Sequence, residues 1–156
     1  MTGASQDEAF KRAVKFLSYR ARSEAEVRAK LAQLGFSQST VQSAVKKLLS
    51  LNLLNDENFA RAWTVRRVEG RGYGPLRVER ELRQKGIAKH LISQVLEETF
   101  GSRQGKERAR ALLDKRFHGK DLSGAKNLRR AVSFLQRRGY RDSVIAEVLK
   151  QPLGDD

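Results

Sequence analysis

The sequence predicts an all-α protein built from three tandem three-helix repeats. Apolar residues recur at spacings of three and four along nearly the whole chain, which is typical of helices, and no sustained alternation indicates a strand. Only two prolines, Pro75 and Pro152, interrupt this pattern. A leucine, a glycine and an apolar residue recur together three times. Since small tandem units support each other through neighbour contacts, we expect an elongated arrangement that can be curved.

The first repeat, residues 1–53, contains three helical patterns. Phe10, Val14 and Leu17 form an apolar stripe in the first of them. Ser23, with Glu26 three residues later, is a capping box that predicts the start of the second helix. That helix ends at a glycine, and a third apolar pattern follows it. The third pattern comprises Val41, Ala44 and Val45.

The second repeat, residues 54–100, has equally clear helix starts. Asn55 is a predicted N-cap, with Leu54 and Phe59 at the two positions of a hydrophobic staple. Pro75 suits the first position of the next helix, where its missing N–H costs nothing. We expect that helix to end at Gly86.

The third repeat, residues 101–156, matches the others less well at its beginning. Its first helix carries Ala109, Leu112 and Leu113. The segment from Phe117 to Lys126 has two glycines and mixed charge, so we interpret it as a loop or hinge.

The three repeats share one helix ending. In each copy the glycine supplies the left-handed residue that ends a helix. The leucine four residues earlier lies where a Schellman motif packs on the apolar residue after the glycine. Upstream and downstream apolar positions keep the same register. The copies are Leu31, Gly35 and Phe36; Leu82, Gly86 and Ile87; and Leu135, Gly139 and Tyr140.

Composition argues against an enzyme. There is no cysteine, and neither His90 nor His118 has a neighbouring histidine or paired carboxylate, so we predict surface or half-buried histidines, no metal and no cofactor. The string from Gly101 to Lys106 follows a helix and is too short for a P-loop. No apolar run approaches a membrane span and the start of the chain has no apolar segment, so we expect a cytoplasmic protein.

The charge indicates an anionic partner. Lysine and arginine number 32 against 18 acidic residues, a formal charge of +14. Two segments, Arg61 to His90 and Gly119 to Arg141, each carry a net charge of +6. Nucleic acid phosphates or an acidic protein groove both fit this pattern. The candidate contact residues are Arg66, Arg67, Arg71, Tyr73, Arg77, Arg80, Lys85, Arg129, Arg130, Arg137 and Arg138.

Two local patterns sharpen this expectation. Arg77, Arg80 and Lys85 can share a face of the helix that begins at Pro75. In the glycine-rich segment from Val68 to Pro75, Arg71 and Tyr73 either project toward a partner or belong to a flexible connector.

These stretches resemble the RecX family of regulatory proteins. The matching strings are LSYRARSEAEVRAKL from Leu17, DENFA from Asp56, RGYGPLRVERELRQKGI from Arg71 and FLQRRGY from Phe134. The resemblance implies a non-enzymatic protein of recombination, DNA repair and the SOS response, with three tandem three-helix repeats. It also implies a monomer that binds the RecA filament and single- and double-stranded DNA without sequence preference, limiting strand exchange, ATP hydrolysis or filament growth.

A helix-turn-helix DNA-binding protein or transcriptional regulator is the alternative. The Leu-x-x-x-Gly turns between paired helices are similar to that motif. This alternative predicts sequence-specific duplex binding, usually by a dimer.

Overall fold

The computed structural model describes residues 2–150 and contains, within that range, nine α-helices and no strand. The all-α, three-repeat fold is therefore confirmed; Pro152 and the end of the predicted third repeat lie outside the described residues. The helices are α1 (Thr2–Tyr19), α2 (Glu24–Gln33), α3 (Gln38–Ser50), α4 (Asp56–Arg71), α5 (Pro75–Gln84), α6 (Lys89–Phe100), α7 (Gln104–Arg116), α8 (Ala125–Arg138) and α9 (Asp142–Lys150).

The predicted helix starts are confirmed. The Ser23 hydroxyl accepts the Glu26 N–H and the Glu26 carboxylate accepts the Ser23 N–H, which completes the capping box of α2. The Asn55 side chain accepts the Asn58 N–H at 3.0 Å at the start of α4. α5 begins at Pro75. The predicted loop in the third repeat separates α7 from α8 and comprises residues 117–124.

All three glycine turns are Schellman motifs. The N–H after each glycine donates to the carbonyl of the leucine: 3.2 Å to Leu31, 3.1 Å to Leu82 and 3.1 Å to Leu135. The glycines have left-handed φ values of 93°, 75° and 97°. The three leucines are fully buried. The repeat therefore specifies the same backbone geometry three times.

The chain packs as two compact units. One comprises residues 2–62 with 82–91, and the other comprises residues 63–81 with 92–150. In the first unit, α1, α2 and α3 enclose a core that includes Val27, Leu31 and Leu48. In the second, α7, α8 and α9 enclose Leu113 and Leu135. The repeat boundaries stay a prediction, because these units divide the second repeat.

A junction that we call the repeat joint occurs once in each unit. In the first unit, the Ser23 hydroxyl at the start of α2 donates to the Lys85 carbonyl at 2.6 Å, in the turn after α5. A Cβ on Gly86 would collide with Ala25 of the same helix start. Each joint thus places the start of one repeat's second helix on the glycine turn of the next repeat.

In the second unit, the joint uses backbone groups at the equivalent positions. The N–H of Gly74, at the start of α5, donates to the Arg138 carbonyl at 2.6 Å. The Leu76 N–H donates to the Gly139 carbonyl at 2.9 Å. A Cβ on Gly74 would lie 2.7 Å from the Gly139 oxygen. The two glycines allow this close backbone approach.

No helix within residues 2–150 is long and apolar enough to cross a membrane.

Candidate nucleic-acid interface

The predicted contact residues fall into two groups. One group is solvent-exposed and makes no ion pair with any residue in the described range. The other group is partly or fully buried, and each member pairs with a carboxylate or takes part in a cation–π contact. The exposed group is Arg66, Arg71, Arg80, Arg129, Arg130 and Arg137; the second is Arg67, Tyr73, Arg77, Lys85 and Arg138.

Tyr73 lies inside an ion-paired cluster, so the expectation that its ring projects from a loop is wrong. Its exposed fraction is 8%, because the Arg77 guanidinium lies 4.0 Å from the ring centroid and covers it. Glu81 accepts a hydrogen bond from the Trp63 indole at 3.0 Å and pairs with Arg67 at 3.0 Å. These contacts give Arg67 and Arg77 structural partners.

The segment around Tyr73 is also more helical than predicted. α4 continues to Arg71, so only residues 72–74 connect it to α5. Gly72 adopts a φ of 66° there, and a Cβ at this position would lie 2.8 Å from the Leu112 side chain. The connector is therefore packed, and Arg71 is exposed at the end of a helix.

Lys85 belongs to the first repeat joint. α5 ends at Gln84, one residue earlier, and the Lys85 ammonium lies 3.6 Å from the Glu26 carboxylate. Burial acts to raise the pKa of Glu26, but hydrogen bonds from Arg20 and the Ser23 N–H and the nearby positive charges outweigh it, so the pKa is lowered. Lys85 therefore lies beyond the end of α5 and does not belong to the basic face predicted for that helix.

A basic groove lies in the third repeat, between the end of α7 and the face of α8. Its volume is about 450 Å³, and the described residues that line it include six exposed cationic side chains and no carboxylate. On α8 the apolar residues Ala131 and Leu135 point into the core, so the charged positions occupy the opposite side. The cations are Arg116, Lys120, Lys126, Arg129, Arg130 and Arg137.

Two aromatic rings form the floor of the basic groove. Phe117 and Phe134 meet edge to face, with centroids 5.9 Å apart and an angle of 76° between the rings. The Arg116 guanidinium lies 5.4 Å from the Phe117 centroid, and Lys120 lies 5.9 Å from it. These cation–π contacts hold the two charged groups beside the groove without neutralising them.

A neighbouring cleft of about 560 Å³ shares Arg116 and Phe134 with the basic groove. Its lining includes Arg71 and Arg138, both predicted as contact residues, and one carboxylate, Glu69. Arg108 pairs with that carboxylate at 2.9 Å. Tyr140 lines the cleft as well, and burial raises the pKa of its hydroxyl to about 12.

The structure therefore brings together five of the predicted residues. Arg129, Arg130 and Arg137 line the groove, and Arg71 and Arg138 line the cleft; Arg66 and Arg80 line neither. Sequence reasoning placed Lys120 and Lys126 in a basic segment without selecting them, and it missed Arg116. The stretch from Lys115 to Arg141 contains nine lysines and arginines and one acid, Asp121. This excess of positive charge is the sequence feature that could have indicated the groove.

No group of three metal-ligating side chains occurs in the range that the structure covers, residues 2–150. His90 and His118 are exposed, as predicted.

A basic groove floored by aromatic rings can bind phosphate. Six cations without carboxylates repel one another, and a polyanion relieves that repulsion. Arginine also donates two parallel hydrogen bonds to phosphate oxygens. The groove therefore fits the backbone of a nucleic acid.

The family models and the named relatives that match this chain point to one family. Family models of the first, second and third RecX three-helix domains match residues 9–48, 55–96 and 104–149. Regulatory protein RecX of Trichlorobacter lovleyi is 34% identical, covering 97% of this chain and 100% of that protein. The same-named protein of Corynebacterium efficiens is 30% identical, covering 93% and 71%.

A solved structure has the same fold. The crystal structure of RecX from Lactobacillus salivarius superposes with a TM-score of 0.81 at 20% identity, covering 95% of this chain and 96% of the other. The order of the three matched domains is the order of the three glycine turns in the sequence. With all three domain models matched and a relative covered over its full length, this chain belongs to the RecX family.

Proposed function

We propose that this protein is a non-enzymatic regulator that binds the RecA–DNA filament and limits RecA activity in homologous recombination and DNA repair. The observation that carries the proposal is the carboxylate-free basic groove, with its six exposed cations. The family relationship supports the regulatory role. The protein would act in the cytoplasm, as part of the SOS response, and be monomeric in dilute solution.

The groove residues favour contact with phosphates over reading of bases. Apart from the two phenylalanines and Ser133, the lining residues that the structure describes are all arginine or lysine. Such side chains position a protein on the nucleic acid backbone, whereas base recognition in the major groove also uses asparagine and glutamine. Binding should therefore depend on salt and be indifferent to sequence, for single and double strands alike. A sequence-specific helix-turn-helix regulator would instead prefer one duplex sequence over others.

A RecA assay tests the proposal. Purified protein is added to RecA on single-stranded DNA, and ATP hydrolysis, strand exchange and filament length are followed. We expect inhibition of hydrolysis and exchange and shorter filaments. If stoichiometric protein changes none of these, the proposed function is wrong.

A variant then tests the site. Arg129, Arg130 and Arg137 are replaced together by alanine, which leaves the phenylalanine floor in place. We expect much weaker inhibition at the same protein concentration. The control replaces the exposed Lys11, Lys15 and Lys46 and should inhibit like the wild type. Equal loss of inhibition in the two variants would show that total charge, and not the groove, is responsible.

A further inference from the structure

Both halves of the repeat joint recur once more, and there neither half packs on another repeat within residues 2–150. In the two joints, a Cβ on Gly74, Gly86 or Gly139 would collide with the adjoining repeat. A Cβ on Gly35 or on Gly124 would meet nothing within 4 Å. We call residues 34–36 the free turn and residues 124–126 the free helix start. One is the glycine turn of the first repeat, and the other begins the second helix of the third repeat.

The free turn has the geometry of its occupied counterparts. It is a Schellman turn like those at Gly86 and Gly139, with a φ of 93° at Gly35. The residue before the glycine, whose carbonyl accepts the joint hydrogen bond in the other two repeats, is Leu34. Its side chain is 41% exposed, whereas the equivalent residues are the half-buried Lys85 and Arg138. The acceptor site is thus present and is flanked by an apolar side chain.

The free helix start has the complementary geometry. Gly124 is the N-cap of α8, with extended φ and ψ of −74° and 138°, and no side chain caps the helix. The first N–H groups of a helix have no partner within it. α5 also begins after a glycine, Gly74, and that glycine packs on Gly139. Pairing of Gly124 with Gly35 would therefore repeat the glycine–glycine contact of the second joint.

We propose that the free turn of one copy binds the free helix start of a second copy, which forms a third joint between molecules. By equivalence with the second joint, the Gly124 N–H donates to the Leu34 carbonyl and the Lys126 N–H donates to the Gly35 carbonyl. Because the two surfaces differ, each copy keeps one half free, and the contact can propagate head to tail.

The contact is small, so it is weak between molecules in dilute solution. Copies bound side by side on one polyanion have a high effective concentration, which favours the joint. Propagation along DNA therefore rests on the proposed function, whereas the pairing itself does not. The expected behaviour is a monomer in dilute solution and short arrays on nucleic acid.

Cysteine crosslinking tests the proposal, because the chain has no native cysteine. Gln33→Cys places one thiol beside the free turn, and Ala125→Cys places another at the free helix start; both positions are exposed. The two variants are mixed with oligo(dT) and a short bismaleimide. We expect a crosslinked heterodimer in clear excess over the pair Gln33→Cys with Ser143→Cys, an exposed position on α9.

A blocking substitution makes the result specific. Gly124→Leu adds a side chain where space is open and φ is ordinary, so the fold is retained, but the bulk separates the two halves. When Gly124→Leu is combined with Ala125→Cys, the yield of the crosslink to Gln33→Cys should fall to that of the Ser143→Cys control pair. Ala146→Leu, an exposed change on α9, should leave the yield unchanged.

Two outcomes would overturn the inference: equal yields with the Ala125 and Ser143 thiols, or a yield that Gly124→Leu does not change. When RecA is added to the same mixture, capture of RecA by the Gln33→Cys thiol in place of a second copy would also overturn it. Specific crosslinking at high protein concentration, together with no effect on RecA, would instead overturn the proposed function alone. The two proposals can therefore fail separately.

Discussion

The salt dependence of nucleic acid binding should become shallower when the basic groove loses three of its charges. The change is Arg129→Ala, Arg130→Ala and Arg137→Ala together. All three side chains are exposed, and none has an ion-pair partner within residues 2–150, so the variant removes no internal ion pair. The apolar face of α8 is unchanged, so we expect the helical content and the melting temperature of the wild type.

The size of the effect follows from counterion release. Each phosphate neutralised on a single strand contributes about 0.7 to the slope of log K against log salt concentration. Six groove cations give a slope of about −4, and three give about −2. Over a fourfold rise in salt, the wild type should therefore lose about 16-fold more affinity than the variant. Affinity at low salt should fall as well.

Fluorescence anisotropy with labelled oligo(dT) measures these slopes directly. The control, Lys11→Ala, Lys15→Ala and Lys46→Ala, lowers the formal charge of +14 by the same three units from exposed positions outside the groove. Its slope should stay near that of the wild type. Identical slopes for the two triple variants would refute the reasoning, because the affinity would then reflect net charge alone.

Three further predictions concern the joints and their acidic residues. In urea titrations, Gly86→Ala should lower the free energy of unfolding more than Gly35→Ala does. The left-handed φ costs about 1–2 kcal/mol at both positions, and the packing of Gly86 against Ala25 in a joint adds about 1–3 kcal/mol. Burial raises the pKa of Asp56, so its charge is unfavourable in the folded state, and its carboxylate accepts the first N–H of α2. Asp56→Asn removes the charge and keeps an acceptor, so the melting temperature should stay the same or rise, whereas Asp56→Ala loses the acceptor and should lower the free energy of unfolding by about 1 kcal/mol. Folding lowers the pKa of Glu26, so its stabilisation is lost as the pH falls through the folded pKa, and Glu26→Gln should flatten the acid side of a stability profile.

Local signals predicted the repeat fold well. Ser23 with Glu26, and Asn55 before an acidic pair, each specify a helix start through hydrogen bonds within a few residues. Gly35, Gly86 and Gly139 specify helix ends, because left-handed backbone favours glycine. All of these determinants act over one helical turn, so they can be read without knowledge of tertiary structure.

The contact residues were harder to predict, because a charge in the sequence does not reveal its partner. Arg67 and Arg77 belong to a basic segment, yet both pair with Glu81, and Tyr73 is buried beneath one of them. Lys85 is paired with Glu26, a residue from another repeat. Arg77 and Glu81 are neighbours on one helix, but Arg67 meets Glu81 across two helices and Lys85 meets Glu26 across two repeats. The net charge of a segment shows neither of the last two pairings.

The joints also help to explain why the groove cations, which form no ion pair within residues 2–150, lie together in the third repeat. Each joint places basic residues of one repeat next to another repeat, where a carboxylate can pair with them, as Glu26 pairs with Lys85. The loop and helix face around Lys126 and Arg130 contain a single acid, Asp121, which hydrogen-bonds to Ser123 and does not line the groove. Charges with no carboxylate within reach have no ion-pair partner among the described residues, so we expect their counterion to come from outside the protein. This difference in pairing, and not the equal charge of +6 in two sequence segments, separates the structural arginines from those that we expect to bind phosphate.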